Sequence, residues 1–394
     1  MILLLGCVDA SDPCPGGEAA TGGRVCTAPV TLRAELGTLD AELRWPAEAD
    51  GSWPAAVVIP GGFDPYVLPV RQGTPMVNNA EGVVSLHLDL AGPAWGDGVD
   101  DHRGPLARAA VATGVAFLAG RAADATGRSV LDLAPGTRTD RLVLAGHSNG
   151  GNLAVATLAD ESLSLPGVVG LATFETPAGP QFVNVEHGGL GLSYATGTCT
   201  AGADGIDCPF TTEQAALSAE GEVCVDVDED QLCGATENTV GGSLDPATSK
   251  RALSPRLRGM VDAEGLPAGD YDTLEEADDF WGERDAARLV AEMARVRPVP
   301  TVVVGTEEDH VLVGLADHPH VFGLYELLHQ AGVAVRLNPG AAWSGLGAEN
   351  DVGAPYGLSN AEGWLVPEST DVTLQDLLTA GTRELCARTD DEGW

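Results

Sequence analysis

The residue of this chain best placed for chemistry is Ser148, which lies in the segment GHSNGG of residues 146–151. A serine with a glycine two residues before it and another two residues after it, between a strand and a helix, has the pattern of a nucleophile elbow. The turn is so tight that larger flanking side chains would collide, and it exposes the hydroxyl at the carboxyl end of the strand. The apolar run 141–145 and the helical segment 152–158 supply this context, so we predict a nucleophile rather than a plain turn.

A second pattern that could do chemistry is acidic. Asp226, Asp228 and Asp230 alternate along the chain, and Glu237 follows Asp226 by eleven residues. A calcium-binding loop takes carboxylate ligands at its positions one, three, five and twelve, but it needs a glycine at position six, where this chain has Gln231. Two interpretations stay open: a structural calcium site, or a solvated acidic loop without an ion.

The elements that must position these residues alternate between apolar strands and helices. A hairpin is predicted over 31–36 and 39–45, and short apolar strands over 55–59, 83–90, 141–145, 168–174, 300–304 and 333–337. Helices are predicted over 105–123, 152–158, 283–296, 319–330 and 374–387. Continuous apolar strands that alternate with helices indicate an α/β fold, with a mostly parallel, doubly wound sheet covered by helices on both faces.

The predicted α/β pattern stops between residues 176 and 280, a stretch rich in glycine, threonine and acidic residues that carries four cysteines. It is too long for a simple loop, and we predict a disulfide-rich cap insertion over the carboxyl edge of the sheet. The predicted organisation is a signal and tether over 1–28, a core over 29–175 and 281–340, the cap over 176–280 and a C-terminal extension over 341–394.

With these motifs in order, residues 30–340 resemble the α/β-hydrolase superfamily, most closely its dienelactone-hydrolase and acyl-peptidase-like branches. The matching segments are the elbow, IPGGF at 59–63, LDLAG at 88–92, WGDG at 95–98, DDHRG at 100–104 and VVVGTEEDHV at 302–311. The resemblance implies that backbone N–H groups of Asn149 and of Gly62 or Phe63 form an oxyanion hole beside Ser148. It also implies that Asp309 is the triad acid, with Glu308 as a close competitor.

The base histidine is the incomplete part of this resemblance. The family places it after the last strand, where this chain reads AAWSG at 341–345, and no histidine follows His329. Three alternatives stay open: His318 or His320 from a displaced loop, His310 directly, or His187 from the cap. We expect His147, His87, His102 and His329 to be structural.

Two functions from different classes follow. The first is a serine hydrolase that cleaves a carboxylic ester or related acyl bond of a small-molecule substrate through an acyl-enzyme on Ser148, with no cofactor required. The second is a catalytically degenerate α/β-hydrolase fold at the cell surface that binds a ligand without turnover. The missing histidine is the main support for the second.

Charge and cysteines limit the partners and the compartment. Acidic residues number 58 and basic residues 21, and the net charge of -37 repels phosphate backbones, so nucleic-acid binding is excluded. The local cysteine pairs Cys14–Cys26, Cys199–Cys208 and Cys224–Cys233 indicate disulfides in an oxidising compartment. The sequence LLGC at 4–7 resembles a bacterial lipobox with few residues before it. We therefore expect an extracytoplasmic protein with a truncated lipoprotein signal and a lipid anchor at Cys7, an accidental match being the alternative.

Overall fold

In the computed structural model, the described residues are 14, 18–19, 24–34, 37–47, 51–61, 77–90, 101–179, 200–202, 205–207, 210–234, 237, 239–267, 269–305, 321–337, 343–345, 365–367 and 374–388. The strands are β1 Glu18–Ala19, β2 Val25–Ala34, β3 Gly37–Pro46, β4 Trp53–Ile59, β5 Val84–Leu88, β6 Thr137–His147, β7 Val168–Phe174, β8 Thr200–Gly202, β9 Gly205–Asp207, β10 Ala215–Leu217, β11 Val223–Val225, β12 Thr239–Val240, β13 Ser243–Asp245, β14 Lys250–Ala252, β15 Thr301–Val304, β16 Val335–Leu337, β17 Trp343–Gly345 and β18 Leu365–Pro367. The helices are α1 Pro105–Leu118, α2 Val130–Leu133, α3 Asn149–Ala159, α4 Pro255–Ala263, α5 Leu274–Gly282, α6 Ala286–Val296, α7 Val321–Gln330 and α8 Leu374–Ala387.

The described part of the chain is organised around a nine-stranded sheet in the order β1-β2-β3-β5-β4-β6-β7-β15-β16. The predicted hairpin is present as β2 and β3, which pair antiparallel with Ala34 opposite Gly37, and β3 pairs antiparallel with β5. From β5 onward, through β4, β6, β7, β15 and β16, every neighbouring pair is parallel. The order and the elbow after β6 confirm the α/β-hydrolase fold that the resemblance implied.

Burial on both faces explains why the central strands are continuously apolar. Along β4, Ala55, Val57 and Ile59 pack into one cluster with residues of helices α1, α3, α6 and α7. The alternate residues Ala56 and Val58 pack on the opposite face, into a cluster that includes residues of α8. A strand covered by helices on both sides has no solvent face, so its sequence shows no alternation of polar and apolar residues.

The segment between β7 and α6 has a core of its own, as expected for an insertion. Phe210, Val225, Leu257, Val261 and Tyr271 are among the residues of this buried cluster, which the two clusters on the central sheet do not share. The short antiparallel strands β10–β12 supply part of it, and β13 and β14 form a separate two-stranded sheet. Helix α4 and residues 274–280 of helix α5 also lie within 176–280, where the sequence analysis placed no helix.

Two of the three predicted disulfides lie in the described residues and both are present. Cys14 is bonded to Cys26 of β2, and Cys224 of β11 is bonded to Cys233. The pair Cys199 and Cys208 lies outside the described residues. Cys386 of α8 is a buried free thiol, in keeping with its unpaired position in the predicted scheme.

Two further observations concern the N-terminal boundary of the core and membrane-spanning helices. The sheet already includes β1 at Glu18–Ala19 and β2 from Val25, so it starts before residue 29, where the core was predicted to begin. None of the helices in the described ranges is long and apolar enough to cross a membrane.

Candidate active site

The elbow serine lies where β6 ends and α3 begins, as the sequence predicted. Ser148 has φ 50° and ψ -126°, a conformation that residues with a side chain rarely adopt. The surrounding backbone enforces it, because the Ser148 N–H donates to the Phe174 carbonyl oxygen at 2.7 Å and the Ser148 carbonyl accepts from Gly151 at 2.9 Å. The hydroxyl does not cap the helix it precedes. The Ser148 hydroxyl therefore does not act as a helix N-cap, which is the usual role of a serine before a helix.

The glycines around Ser148 are required by close backbone contacts. A Cβ on Gly146 would lie 2.5 Å from the Gly151 Cα, and one on Gly150 would lie 2.3 Å from the Ile59 carbonyl oxygen. A Cβ on Gly151 would lie 1.9 Å from the Thr176 hydroxyl oxygen. These approaches are closer than side-chain atoms tolerate, so the spacing seen in the sequence has a steric cause.

The predicted oxyanion hole is described on one of its two sides. Asn149 is the first residue of α3, where backbone N–H groups have no partner within the helix and carry the positive end of the helix dipole. On the other side Gly61 follows β4 and lies against the elbow, since a Cβ there would be 2.9 Å from the Ser148 Cβ. Gly62 and Phe63, the predicted donors of that loop, lie outside the described residues.

A buried arginine that the sequence analysis did not single out also contacts this edge. The Arg103 guanidinium donates from Nη2 to the Gly61 carbonyl oxygen at 2.9 Å. Arg103 is buried and has φ 69°. It belongs to the DDHRG segment, which contributed to the resemblance as a motif but carried no predicted role. Only the folded sheet brings residues 61 and 103 together.

A buried carboxylic acid, Glu175, is the second residue near Ser148 that sequence reasoning missed. It directly follows β7, has φ 44° and is 3% exposed. Its N–H donates to the Val304 carbonyl oxygen at 2.8 Å, while the preceding residue accepts the Ser148 N–H. Glu175 thus lies at the carboxyl edge between the elbow strand and the strand that leads towards Asp309. The segment FETP gave no recognised motif, and an acid directly after a buried strand was the available signal.

The loop that carries Glu175 is fixed by buried polar side chains. The Asn152 side chain makes two of these bonds: its Nδ2 donates to the Pro177 carbonyl oxygen at 2.8 Å, and its Oδ1 accepts the Ala286 N–H at 2.8 Å. The Asp285 carboxylate accepts the Gly179 N–H at 2.8 Å. The loop after β7 is therefore tied both to α3 and to the start of α6, so its position relative to Ser148 is defined.

The predicted acid and base candidates lie outside the described residues. These are Asp309, His310, His318, His320 and His187. The strand leading to Asp309 is nonetheless where the prediction needs it. Strand β15 is parallel to β7, with Val304 opposite Phe174, and so it ends at the same edge as the elbow strand. The roles of these five residues stay predictions.

The histidines expected to be structural have structural contacts where they are described. His147 stacks on Phe174, with ring centroids 4.9 Å apart. The His87 Nε2 lies 2.8 Å from the Ser85 hydroxyl inside the sheet, and burial, followed by the charge of Arg44, lowers the pKa of His87 to about 3. The His102 ring faces the Phe280 ring, with centroids 6.4 Å apart. His329 stacks on Tyr325 at the end of α7.

The acidic loop brings together three of its four predicted ligands. Carboxylate oxygens of Asp226, Asp228 and Glu237 lie within 4.8 Å of one another, whereas Asp230 accepts the Leu232 N–H at 2.8 Å. Partial desolvation and the neighbouring carboxylates Asp230 and Glu237 raise the pKa of Asp228. This is the group of described residues that could hold a cation.

The same carboxylates also have a structural role without an ion. Asp226 accepts the N–H groups of Asp230 and Gln231, and Glu237 accepts those of Val227 and Gly234, the last at 2.7 Å. Gln231, at the position where a calcium loop has glycine, adopts the left-handed φ of 66°. The disulfide from Cys224 to Cys233 closes this loop. Calcium binding by this loop stays a prediction.

Comparison with known proteins shows that this chain is similar to solved structures of esterases. No protein-family model matches the sequence, and no curated protein matches it. The structure of esterase Est22 is 14% identical over 84% of this chain and 74% of its own, with a TM-score of 0.44. Brefeldin A esterase, a bacterial homologue of human hormone sensitive lipase, is 18% identical over 80% of this chain and 67% of its own, with a TM-score of 0.43. A variant of esterase rPPE is 14% identical, with 82% and 74% of the chains covered and a TM-score of 0.39.

Proposed function

We propose that this protein is a serine hydrolase that cleaves a carboxylic ester or related acyl bond through an acyl-enzyme on Ser148. The observation that carries the proposal is the strained turn at Ser148, held by the Phe174 carbonyl and by glycines that no larger residue could replace. Strained backbone conformations of this kind cluster at the functional sites of proteins. The N-terminus of α3 beside it offers donors to an oxyanion.

The proposed reaction has two halves. The Ser148 hydroxyl oxygen adds to the substrate carbonyl carbon while its proton passes to a base, and the carbonyl oxygen becomes an oxyanion. The oxyanion accepts from the Asn149 N–H and from the loop that follows Gly61. The bond to the leaving alcohol then breaks, and the alcohol takes the proton from the base. In the second half, water adds to the acyl carbonyl carbon with its proton passing to the same base. The bond to Ser148 then breaks, which releases the carboxylic acid and restores the Ser148 hydroxyl.

The proton carrier in this proposal is one of the four histidines predicted from the sequence: His310, His318, His320 or His187. The carboxylate that orients it is Asp309, at the end of the segment that follows β15. Glu175 is the alternative carboxylate, and its buried position directly after β7, between β6 and β15, supports it. In either case the acid would hold the histidine tautomer and stabilise the imidazolium that forms during attack.

Labelling with a fluorophosphonate probe tests the proposal. An activated serine displaces fluoride from phosphorus and forms a stable Ser–O–P bond, so we expect the wild-type protein to be labelled and Ser148→Ala to remain unlabelled. Ser254→Ala is the matched control, because Ser254 also precedes a helix but uses its hydroxyl to accept the Leu257 N–H at 3.2 Å. Its labelling should equal that of the wild type.

Folded wild-type protein that reacts with neither the probe nor small p-nitrophenyl esters would contradict the hydrolase proposal. That outcome would favour the second interpretation, a degenerate hydrolase fold that binds a ligand without turnover. Probe reagents of different size guard against exclusion by the insertion. Labelling that survives in Ser148→Ala would assign the reactive group to another residue.

We also infer that the protein works outside the cytoplasm, as a secreted or lipid-anchored bacterial protein. The two disulfides in the described residues support an oxidising compartment. Expression with an added bacterial lipoprotein signal, followed by mass spectrometry of the N-terminal peptide, tests the anchor. We expect an acylated Cys7 in the wild type and none in Cys7→Ser.

A further inference from the structure

The carbonyl oxygen of Gly61 has a charged partner inside the protein. Gly61 lies between β4 and the loop predicted to supply an oxyanion donor, and it is close to Ser148. The Arg103 Nη2 donates to its carbonyl oxygen at 2.9 Å, and Arg103 is 8% exposed. A hydrogen bond from a buried guanidinium is charge-assisted and therefore stronger than one between neutral groups.

The segment that holds Arg103 has an unusual backbone. His102 and Arg103 have φ values of 48° and 69°, so two consecutive residues with side chains adopt the left-handed conformation. The Gly104 N–H donates to the Asp101 carbonyl at 3.0 Å, and the Asp101 carboxylate accepts the Leu106 N–H at the start of α1. Such a turn persists only where its surroundings fix it.

A second arginine, Arg284, fixes this turn from the end of the insertion. It lies between α5 and α6, and its guanidinium donates to the His102 carbonyl at 2.9 Å and to the Asp101 carbonyl at 2.7 Å. It also donates to the Phe280 carbonyl and lies over the Phe280 ring, 3.6 Å from the centroid. Burial lowers the pKa of Arg284 to about 10, which leaves the guanidinium charged at neutral pH.

We propose that Arg103 is a positioning residue of the oxyanion loop and that Arg284 couples the insertion to it by holding the Asp101–Arg103 turn. The proposal rests on the proposed function of Ser148. A trans peptide group is planar and carries its C=O and N–H on opposite sides. A bond that fixes the Gly61 oxygen therefore fixes the plane of the peptide group that joins Gly61 to Gly62, and Gly62 is one of the two residues, with Phe63, predicted to donate to the oxyanion.

This arrangement gives the arginine a role that no apolar residue of similar size could fill. The guanidinium is planar and carries its donors in a fixed arrangement, so the direction of the bond to the Gly61 oxygen is defined. A lysine at position 103 could donate one bond to the Gly61 oxygen but would lose the planar geometry. A methionine would keep most of the volume and lose the donor.

The test compares Arg103→Met and Arg103→Lys with the wild type and with Arg258→Met. Arg258 is the matched control because it is equally buried and also donates to a backbone carbonyl, that of Asp272 at 2.5 Å, but lies in the separate core of the insertion. Thermal melting first shows that each variant is folded at the assay temperature. Two readouts follow: ester-hydrolysis kinetics, and amide hydrogen exchange of peptides that cover residues 57–64.

We expect Arg103→Met to lower kcat by about a hundredfold with KM nearly unchanged, because small displacements of catalytic groups cost about this much. Arg103→Lys should recover part of kcat, and exchange in 57–64 should be faster in Arg103→Met than in the wild type or in Arg103→Lys. Arg284→Met should accelerate exchange in both 57–64 and 101–104. Arg258→Met should retain the wild-type kcat and exchange in 57–64, even if its melting temperature falls.

Wild-type kcat in folded Arg103→Met would overturn the proposal, and so would equal losses of kcat in Arg103→Met and Arg258→Met. If the wild-type protein itself is inactive, the proposed function fails, and hydrogen exchange alone decides the structural role of Arg103. Unchanged exchange over residues 57–64 in Arg103→Met would then overturn the positioning role as well.

Discussion

Ser148 adopts a backbone conformation that costs a residue with a side chain about 1–3 kcal/mol. Ser148→Ala and Ser148→Gly both remove the hydroxyl, but only glycine relieves the strain at φ 50°. We expect Ser148→Gly to be more stable than Ser148→Ala by about 1 kcal/mol, although both should be inactive. Urea unfolding of the pair provides the comparison. Equal stability of the two variants would mean that the turn is unstrained.

The two candidate carboxylates can be separated by isosteric amides. We expect Asp309→Asn to lower kcat by about 10⁴-fold, because the neutral amide favours the wrong tautomer of the base. Glu175→Gln should lower it far less. The opposite order would move the role of the acid to Glu175. The pH profile of kcat/KM separates these outcomes from a structural loss, since a change in the acid shifts the apparent pKa of the base.

At the scale of elements, the sequence predicted the sheet and most of its helices because their signals are local. Strands such as β4 and β6 are buried on both faces, and the elbow needs glycines at fixed spacing. Helices α4 and α5 were missed in an acidic, glycine-rich context, although their caps were readable. Ser254 before Pro255 and the pair Thr273 and Glu276 are helix-start patterns that the structure bears out.

The missing parts of the site could not be read from the sequence because no local pattern joins their members. Arg103 meets Gly61 across 42 positions, and Arg284 meets Asp101 across 183. Glu175 is brought to the edge of the sheet beside Ser148 only by the pairing of β7 with β6 and β15. Parallel sheets bring distant segments to one edge, and a single sequence does not show which of its polar residues meet there.

Strand β5 makes stability depend on pH through His87. Its pKa falls from an ordinary 6.5 to about 3 on folding, chiefly by burial. Below about pH 6.5, His87 is therefore protonated in the unfolded chain but remains neutral in the folded protein. Stability is fully present above that pH and falls as pH drops towards 3, by up to about 1.4 kcal/mol per pH unit.

His87→Gln removes this titration while keeping a group that can bond to Ser85. We expect its melting temperature to fall less than that of the wild type between about pH 7 and pH 5, because in this interval the wild type loses stability through His87. Parallel melting curves for the two proteins over that interval would show that His87 becomes protonated inside the fold. The carboxylates titrate alike in both proteins and cancel in the comparison.

At the scale of the whole molecule, the net charge of -37 sets how ions act on stability. Repulsion among surface carboxylates destabilises the compact state, and salt screens it. A specific cation at Asp226, Asp228 and Glu237 would act beyond this general effect. The two contributions separate when calcium is exchanged for sodium at constant ionic strength.

If the calcium prediction holds, calcium should raise the melting temperature of the wild type at constant ionic strength and leave that of Asp228→Asn unchanged. Asp228 suits this test because it is exposed, whereas Asp226 is buried, Glu237 is half-buried, and each of those two accepts two loop N–H groups. Asp278→Asn, which removes a half-buried carboxylate of α5 that pairs with Arg288, is the control and should respond as the wild type does. An equal response of all three proteins would leave the loop without an ion.

Strand β14 begins with Lys250, the single lysine in the sequence, and its ammonium lies 2.9 Å from the Glu276 carboxylate of α5. Apart from a terminal amine, the sequence therefore offers one site for amine-reactive reagents. A fluorophore or a surface linker attached there would mark the insertion at a defined point without an engineered cysteine. The same scarcity makes the protein a poor substrate for lysine-directed crosslinking and modification.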